Sequence, residues 1–151
     1  MLRTITLAGL ATLALVVTAP ANAVPISGDL DMSGRFSTDT GNLADASTLF
    51  VEGAIATGGS GDYASVPVGT VINHASFTFG PTLAGPVDPL WWLSVGSVSY
   101  WFTMNDVEVL AQSTTELVLR GAGTLYITGF DPTPGIWEFS GWSQNGRFKF
   151  V

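Results

Sequence analysis

The strongest pattern in the chain lies in its last third, where apolar and polar residues alternate. Apolar side chains recur at every second position on both sides of a Pro-rich segment, first at Leu125 and Ile127 and then at Trp137 and Phe139. Successive side chains of a strand point to opposite faces of a sheet, so this period of two predicts two half-buried strands. Between them, positions 131–135 read Asp-Pro-Thr-Pro-Gly, which favours a turn because proline fixes φ and glycine tolerates positive φ. We therefore predict a β-hairpin whose inner face carries these four apolar side chains.

The same period of two recurs along the rest of the chain and predicts further short strands. They cover residues 26–36, 48–56, 63–69 (an edge strand), 71–79, 90–95, 97–104, 106–111 and 116–120. No stretch after residue 23 shows the 3.6-residue period and end signals of an amphipathic helix. The pattern predicts an all-β fold, a single antiparallel β-sandwich of jelly-roll or Greek-key type with about eight or nine strands. A closed, barrel-like sheet is the alternative.

The alternation also predicts which side chains face outward. Within residues 71–79 it places Val71 on the same face as Phe77, and it places His74 on the opposite, outer face. Residues 90–95 are apolar on both sides, which indicates either a central strand or partly exposed tryptophans.

Residues 1–23 have the pattern of a secretory signal peptide. Arg3 lies in a short positive region, an apolar run covers positions 5–17, and the small residues Ala21 and Ala23 form a cleavage site. The run of about 13 residues is shorter than the roughly 20 that a membrane-spanning helix needs, and no later stretch resembles a span. We therefore predict a signal helix cleaved after Ala23, a secreted product, and one β-domain formed by residues 24–151 with no stable membrane span.

The composition limits which partners and which kinds of catalytic or metal site we expect in this chain. It has no cysteine, a single histidine, and 12 acidic against 5 basic residues, which gives a formal net charge of −7. An acidic surface repels nucleic acid and anionic lipid, so neither is an expected partner. Hydrolytic, redox and zinc centres generally need His or Cys in numbers, so we predict no catalytic residues, no metal site and no cofactor, and the chain is not expected to be an enzyme.

Two carboxylate pairs are the remaining candidates for metal or acid chemistry. Asp29 and Asp31, like Asp106 and Glu108, are two positions apart, which places both members of each pair on one face of a strand. Such pairs could hold calcium or act as glycosidase acids. The simpler interpretation is solubilising charge on polar strand faces and edges, and we predict no metal site here.

Aromatic residues give the better candidate for binding. Trp101, Tyr126 and Trp142 all fall on the polar side of their predicted strands. They could form a stacking platform for sugar rings or an apolar patch for self-association. The simpler alternative is cross-strand packing or cover by a loop.

Three segments carry a family resemblance, over residues 24–34, 61–70 and 121–141. The most specific is the turn Gly129-Phe-Asp-Pro-Thr-Pro-Gly135. Together they resemble exported bacterial proteins of the PEP-CTERM-associated type, whose ectodomain has no established activity and whose C-terminal tail is read by an exosortase. The chain ends Phe148-Lys-Phe-Val151, with no Pro-Glu-Pro signal, apolar helix or Arg cluster. We therefore expect a freely released protein or a truncated gene product, with no anchoring by such a tail.

These observations predict an exported structural or interaction protein of the bacterial cell exterior, a matrix or surface component without catalytic activity. A carbohydrate-binding β-sandwich module is the alternative. The expected partner is extracellular polysaccharide or another copy of the chain.

Overall fold

A computed structural model of the protein describes residues 24–142 and 147–150, the second range as backbone only. The predicted signal peptide, residues 1–23, lies outside the described residues. Ten strands run through the described part of the chain, and two short 3-10 turns, Leu43–Asp45 and Gly61–Tyr63, join some of them. The strands are β1 Leu30–Thr38, β2 Thr48–Gly59, β3 Val71–His74, β4 Phe77–Thr78, β5 Val87–Val95, β6 Val98–Met104, β7 Glu108–Gln112, β8 Glu116–Ile127, β9 Thr133–Trp142 and β10 Arg147–Phe150.

All ten strands belong to one antiparallel sheet. Its order is β1-β10-β9-β8-β6-β5-β3-β2-β4, with β7 paired to β8, and β1 also pairs directly with β2. The sheet therefore curls until β1 has a partner on each side. The predicted all-β class is confirmed, whereas the sandwich is not, because a sandwich requires two separate sheets facing each other.

The core fills the inner side of this curled sheet. It draws apolar side chains from nearly every strand, and those with no exposed surface include Leu49, Leu90, Phe102, Met104, Leu117, Leu119 and Phe139. The described fold holds no disulfide, so apolar burial and strand pairing stabilise it.

The hairpin predicted from the sequence is formed by β8 and β9, which are paired over ten positions. Leu125, Ile127, Trp137 and Phe139 all belong to or pack against the core, as predicted. The turn is shorter than predicted, because Thr133 already begins β9. The Thr133 hydroxyl oxygen accepts a hydrogen bond from the Ile26 backbone N–H at 2.8 Å, so the start of β9 is bonded to the N-terminal segment.

The strand predicted over residues 71–79 is interrupted, and one of its faces was assigned wrongly. Ile72 and His74 of β3 lie on the inner side, while Val71 is 66% exposed. Phe77 is nevertheless buried, as expected. The alternation slips because the chain leaves the strand at Ala75, whose N–H bonds to the carbonyl of Leu90 at 2.8 Å.

The edge strand predicted over residues 63–69 is absent from the described structure, which has turns there. Tyr63 ends a 3-10 turn and is buried, with 1% of its surface exposed. The turn crosses the N-terminal segment so closely that a Cβ on Gly61 would lie 2.3 Å from the Ser27 carbonyl oxygen. Asp62 completes the contact by accepting the Ser27 N–H at 2.7 Å. Alternation alone could not reveal this turn, because a distant segment fixes it.

Candidate functional site

Three large aromatic residues form a line across the outer side of the sheet. Trp92 of β5 lies opposite Trp101 of β6, and Trp101 lies opposite Tyr126 of β8. We call these three residues the aromatic row. Asn73 of β3 extends it by one strand, because it is the partner of Trp92.

The three rings differ in how much they are covered. Trp101 and Tyr126 stack face to face, with ring centroids 4.8 Å apart and planes 1° from parallel, and both are half-buried. Trp92 is 40% exposed. The stacked pair is thus held in one orientation by its own packing, while Trp92 offers the larger free surface.

Neighbouring residues of β5 and β6 explain why these rings point outward. Trp91 is buried and stacks on Phe102, with centroids 6.2 Å apart. Because successive strand residues face opposite sides, burial of Trp91 turns Trp92 outward, and burial of Phe102 does the same for Trp101. The core contacts therefore fix the outward rings in place.

A row of hydroxyl groups runs beside the aromatic row, two residues along each strand. Ser94 Oγ lies 3.3 Å from Ser99 Oγ, and Thr128 Oγ1 accepts the Ser99 N–H at 3.0 Å. We call Ser94, Ser99 and Thr128 the hydroxyl row. It places polar groups next to exposed ring surface.

Apolar side chains continue the same face beyond Asn73. Ile55 of β2 is paired with Val71 of β3, and the two are 39% and 66% exposed. We call the aromatic row, the hydroxyl row, Asn73, Ile55 and Val71 together the aromatic face. None of these side chains carries a formal charge at neutral pH, although the whole chain has a net charge of −7.

The structure brings together two of the three binding residues predicted from the sequence. Trp101 and Tyr126 are neighbours, but Trp142 lies opposite Glu116 at the other end of β8. With a rise of roughly 3.3 Å per residue, that position is about 30 Å from Tyr126 along the strand. Trp142 is 51% exposed and stands apart from the aromatic face. The sequence does not single out Trp92 as a site residue; the apolar run over residues 90–95 indicates either a central strand or partly exposed tryptophans, and here Trp91 is buried while Trp92 is exposed.

Two other spaces in the described fold have different linings. A cavity of about 60 Å³ lies among core side chains that include Tyr63, Trp91 and Phe102. Sites for small organic ligands measure about 300–1,000 Å³, so this cavity is too small for one. A groove of about 370 Å³ runs along residues 36–43. Its one carboxylate, Asp39, already accepts hydrogen bonds from Ser47 and Thr48, and the Ser47 hydroxyl and N–H, together with the Thr48 N–H, lower its pKa to about 2.

The other ionisable candidates have structural contacts. His74 lies on the inner side, 6.3 Å from the Trp137 ring centroid, and its Nδ1 donates to the Ala75 carbonyl at 2.8 Å. Burial lowers its pKa to about 4. Asp106 accepts the Ala122 N–H at 2.8 Å, and Asp29 accepts from the Ser60 hydroxyl at 3.2 Å.

The described residues contain no group of three or more His, Asp or Glu side chains placed to hold a metal ion. Among the same residues, no helix has the length and apolar character needed to cross a membrane.

Comparisons with protein-family models, curated proteins and solved structures found no match to this chain. The resemblance to PEP-CTERM-associated proteins therefore stays a prediction from the three sequence segments.

Proposed function

We propose that this protein is an exported structural or interaction protein of the bacterial cell exterior, a matrix or surface component that makes its contact through the aromatic face. The observation that carries the proposal is the exposed Trp92 beside the fixed Trp101–Tyr126 stack. The pattern of residues 1–23 supports export.

Exposed aromatic rings on an ordered sheet favour binding for two physical reasons. They bury a large apolar area on contact, and they lose little side-chain entropy because they have only two rotatable side-chain bonds. Here the stack already restricts two of the rings, which lowers the cost of ordering them on binding. The aromatic face offers ring surface together with amide and hydroxyl groups, a mixture that suits binding.

The proposal is tested by sedimenting the purified secreted chain with the insoluble exterior fraction of bacterial cells, envelope and matrix together. We expect the wild-type chain to co-sediment and Trp92→Ser to lower the bound fraction several-fold. Trp142→Ser is the matched control, because this tryptophan is similarly exposed but lies away from the face. A wild-type chain that stays in the supernatant, or equal losses for both variants, would overturn the proposal.

A further inference from the structure

We infer that the partner of the aromatic face is an uncharged, unbranched polysaccharide that lies across the strands along the aromatic row. This inference rests on the proposed function, because it assigns a chemical class to the partner of the same surface. Three properties of the face support it, namely its shape, its pattern of groups and its charge.

The first property is the narrow, linear shape of the face. The aromatic row and Asn73 cross four neighbouring strands. At about 4.8 Å between strands, they extend over roughly 15 Å, and Ile55 on the next strand lengthens the face to roughly 19 Å. The hydroxyl row lies one step of about 7 Å to the side, so the patch is well below the roughly 800 Å² per partner that a stable protein interface buries. A second copy of the chain would bury little area on this face alone, whereas a polymer chain fits a narrow strip and places successive sugar units along the row.

The second property is the pairing of ring surface with hydrogen-bonding groups. A pyranose ring has C–H groups on its faces, which pack against an aromatic ring, and hydroxyl groups around its rim. The aromatic row supplies the packing surface, and Trp92, the most open of the three rings, is the principal stacking residue. Ser94 is exposed next to Trp92, and Thr128 is exposed next to Tyr126, so hydroxyl groups for the sugar rim lie at both ends of the row. Such a mixture of apolar surface and a few placed polar groups is typical of sites that orient a ligand.

The third property is charge. The side chains of the face carry no formal charge, and the carboxylate beside it, Asp88, accepts the hydroxyl of Thr103, two residues beyond Trp101, at 2.6 Å. The chain as a whole is acidic, with a net charge of −7. The field of the whole chain repels an anionic polymer, while a neutral one approaches without that penalty. We therefore expect the face to bind uncharged polysaccharides in preference to acidic ones.

The test is native gel electrophoresis of the secreted chain in gels that contain hydroxyethylcellulose, mixed-linkage β-glucan or unbranched mannan, with alginate as the acidic polymer. We expect at least one neutral polymer to retard the wild-type chain and alginate to leave its mobility unchanged. Trp92→Ala should weaken the retardation at least about tenfold, in the range seen when a central tryptophan is removed from an interface. Thr128→Val should weaken it by a smaller factor, and Trp142→Ala should match the wild type.

The outcomes separate this inference from the proposed function. If no neutral polymer retards the chain, or if Trp92→Ala is retarded like the wild type, the inference is wrong. In that case the proposed function is retained if Trp92→Ser reduces co-sedimentation with the exterior fraction. It is wrong if Trp92→Ser co-sediments as the wild type does. Light scattering that shows a dimer lost in Trp92→Ala would also overturn the inference, in favour of self-association. Unchanged near-ultraviolet circular dichroism of each variant confirms that the fold is retained.

Discussion

His74, the single histidine of the chain, sits where its charged form is disfavoured. The ring lies on the inner side of β3 beside Trp137, and its burial lowers the pKa from 6.5 to about 4. The hydrogen bond to the Ala75 carbonyl acts in the opposite direction and is the smaller effect. In the folded protein at neutral pH the imidazole is therefore uncharged.

This position predicts a pH dependence of stability. Above pH 6.5 the histidine is neutral in both the folded and unfolded states, so its protonation takes nothing from the free energy of unfolding. As the pH falls from 6.5 to about 4, only the unfolded chain takes up the proton, and the free energy of unfolding decreases. The loss reaches at most about 3 kcal/mol, from 1.36 kcal/mol per pKa unit.

Urea unfolding measured between pH 7 and pH 4 checks this prediction. His74→Gln should remove most of the slope in this range, because glutamine does not titrate. The pKa of Asp39 is lowered from 3.8 to about 2 in the folded protein. Its contribution to the free energy of unfolding is therefore lost as the pH falls from 3.8 to about 2, below the interval in which His74 acts. A wild-type slope that survives in His74→Gln would show that another group is responsible.

At the scale of elements, β9 shows how alternation divides one strand between core and solvent. Trp137 is 3% exposed, and its ring packs edge-on against Phe77 with centroids 5.6 Å apart. Ile136, the residue before it, is 61% exposed. Opposite Trp137 on β8 is Gly121, where a Cβ would lie 2.7 Å from the Met104 sulfur.

This contrast predicts very different costs for two neighbouring substitutions. Trp137→Ala should lower the free energy of unfolding by about 3–5 kcal/mol, because it removes a buried aromatic ring and leaves a cavity. Ile136→Ala should change it by less than about 0.5 kcal/mol, as expected for a surface position. Chemical denaturation of both variants measures the difference, and similar midpoints would show that the face of β9 is misassigned.

At the scale of the whole molecule, residues 1–23 predict where the protein acts. We expect N-terminal sequencing of protein from the culture medium to begin at Val24. Ala23→Tyr should leave an uncleaved precursor, because the cleavage site requires a small residue. Secreted protein that begins at Met1 would contradict the prediction.

The sequence by itself determined the all-β class and the inner faces of the β8–β9 hairpin. Alternation is a local property, since the direction of each strand side chain follows from its neighbours, and Leu125, Ile127, Trp137 and Phe139 reached the core as it required. The same local signal failed over residues 71–79, where the break at Ala75 depends on the distant Leu90.

Only the tertiary structure decided which outward aromatic residues meet. Trp101 and Tyr126 are 25 positions apart in sequence yet stack, because β6 pairs with β8 in one particular register. Trp92 joins them through the pairing of β5 with β6, and Trp142 is excluded because its strand position pairs with Glu116. Register and strand order arise from the packing of all the inner faces at once, and no single stretch of sequence contains that information.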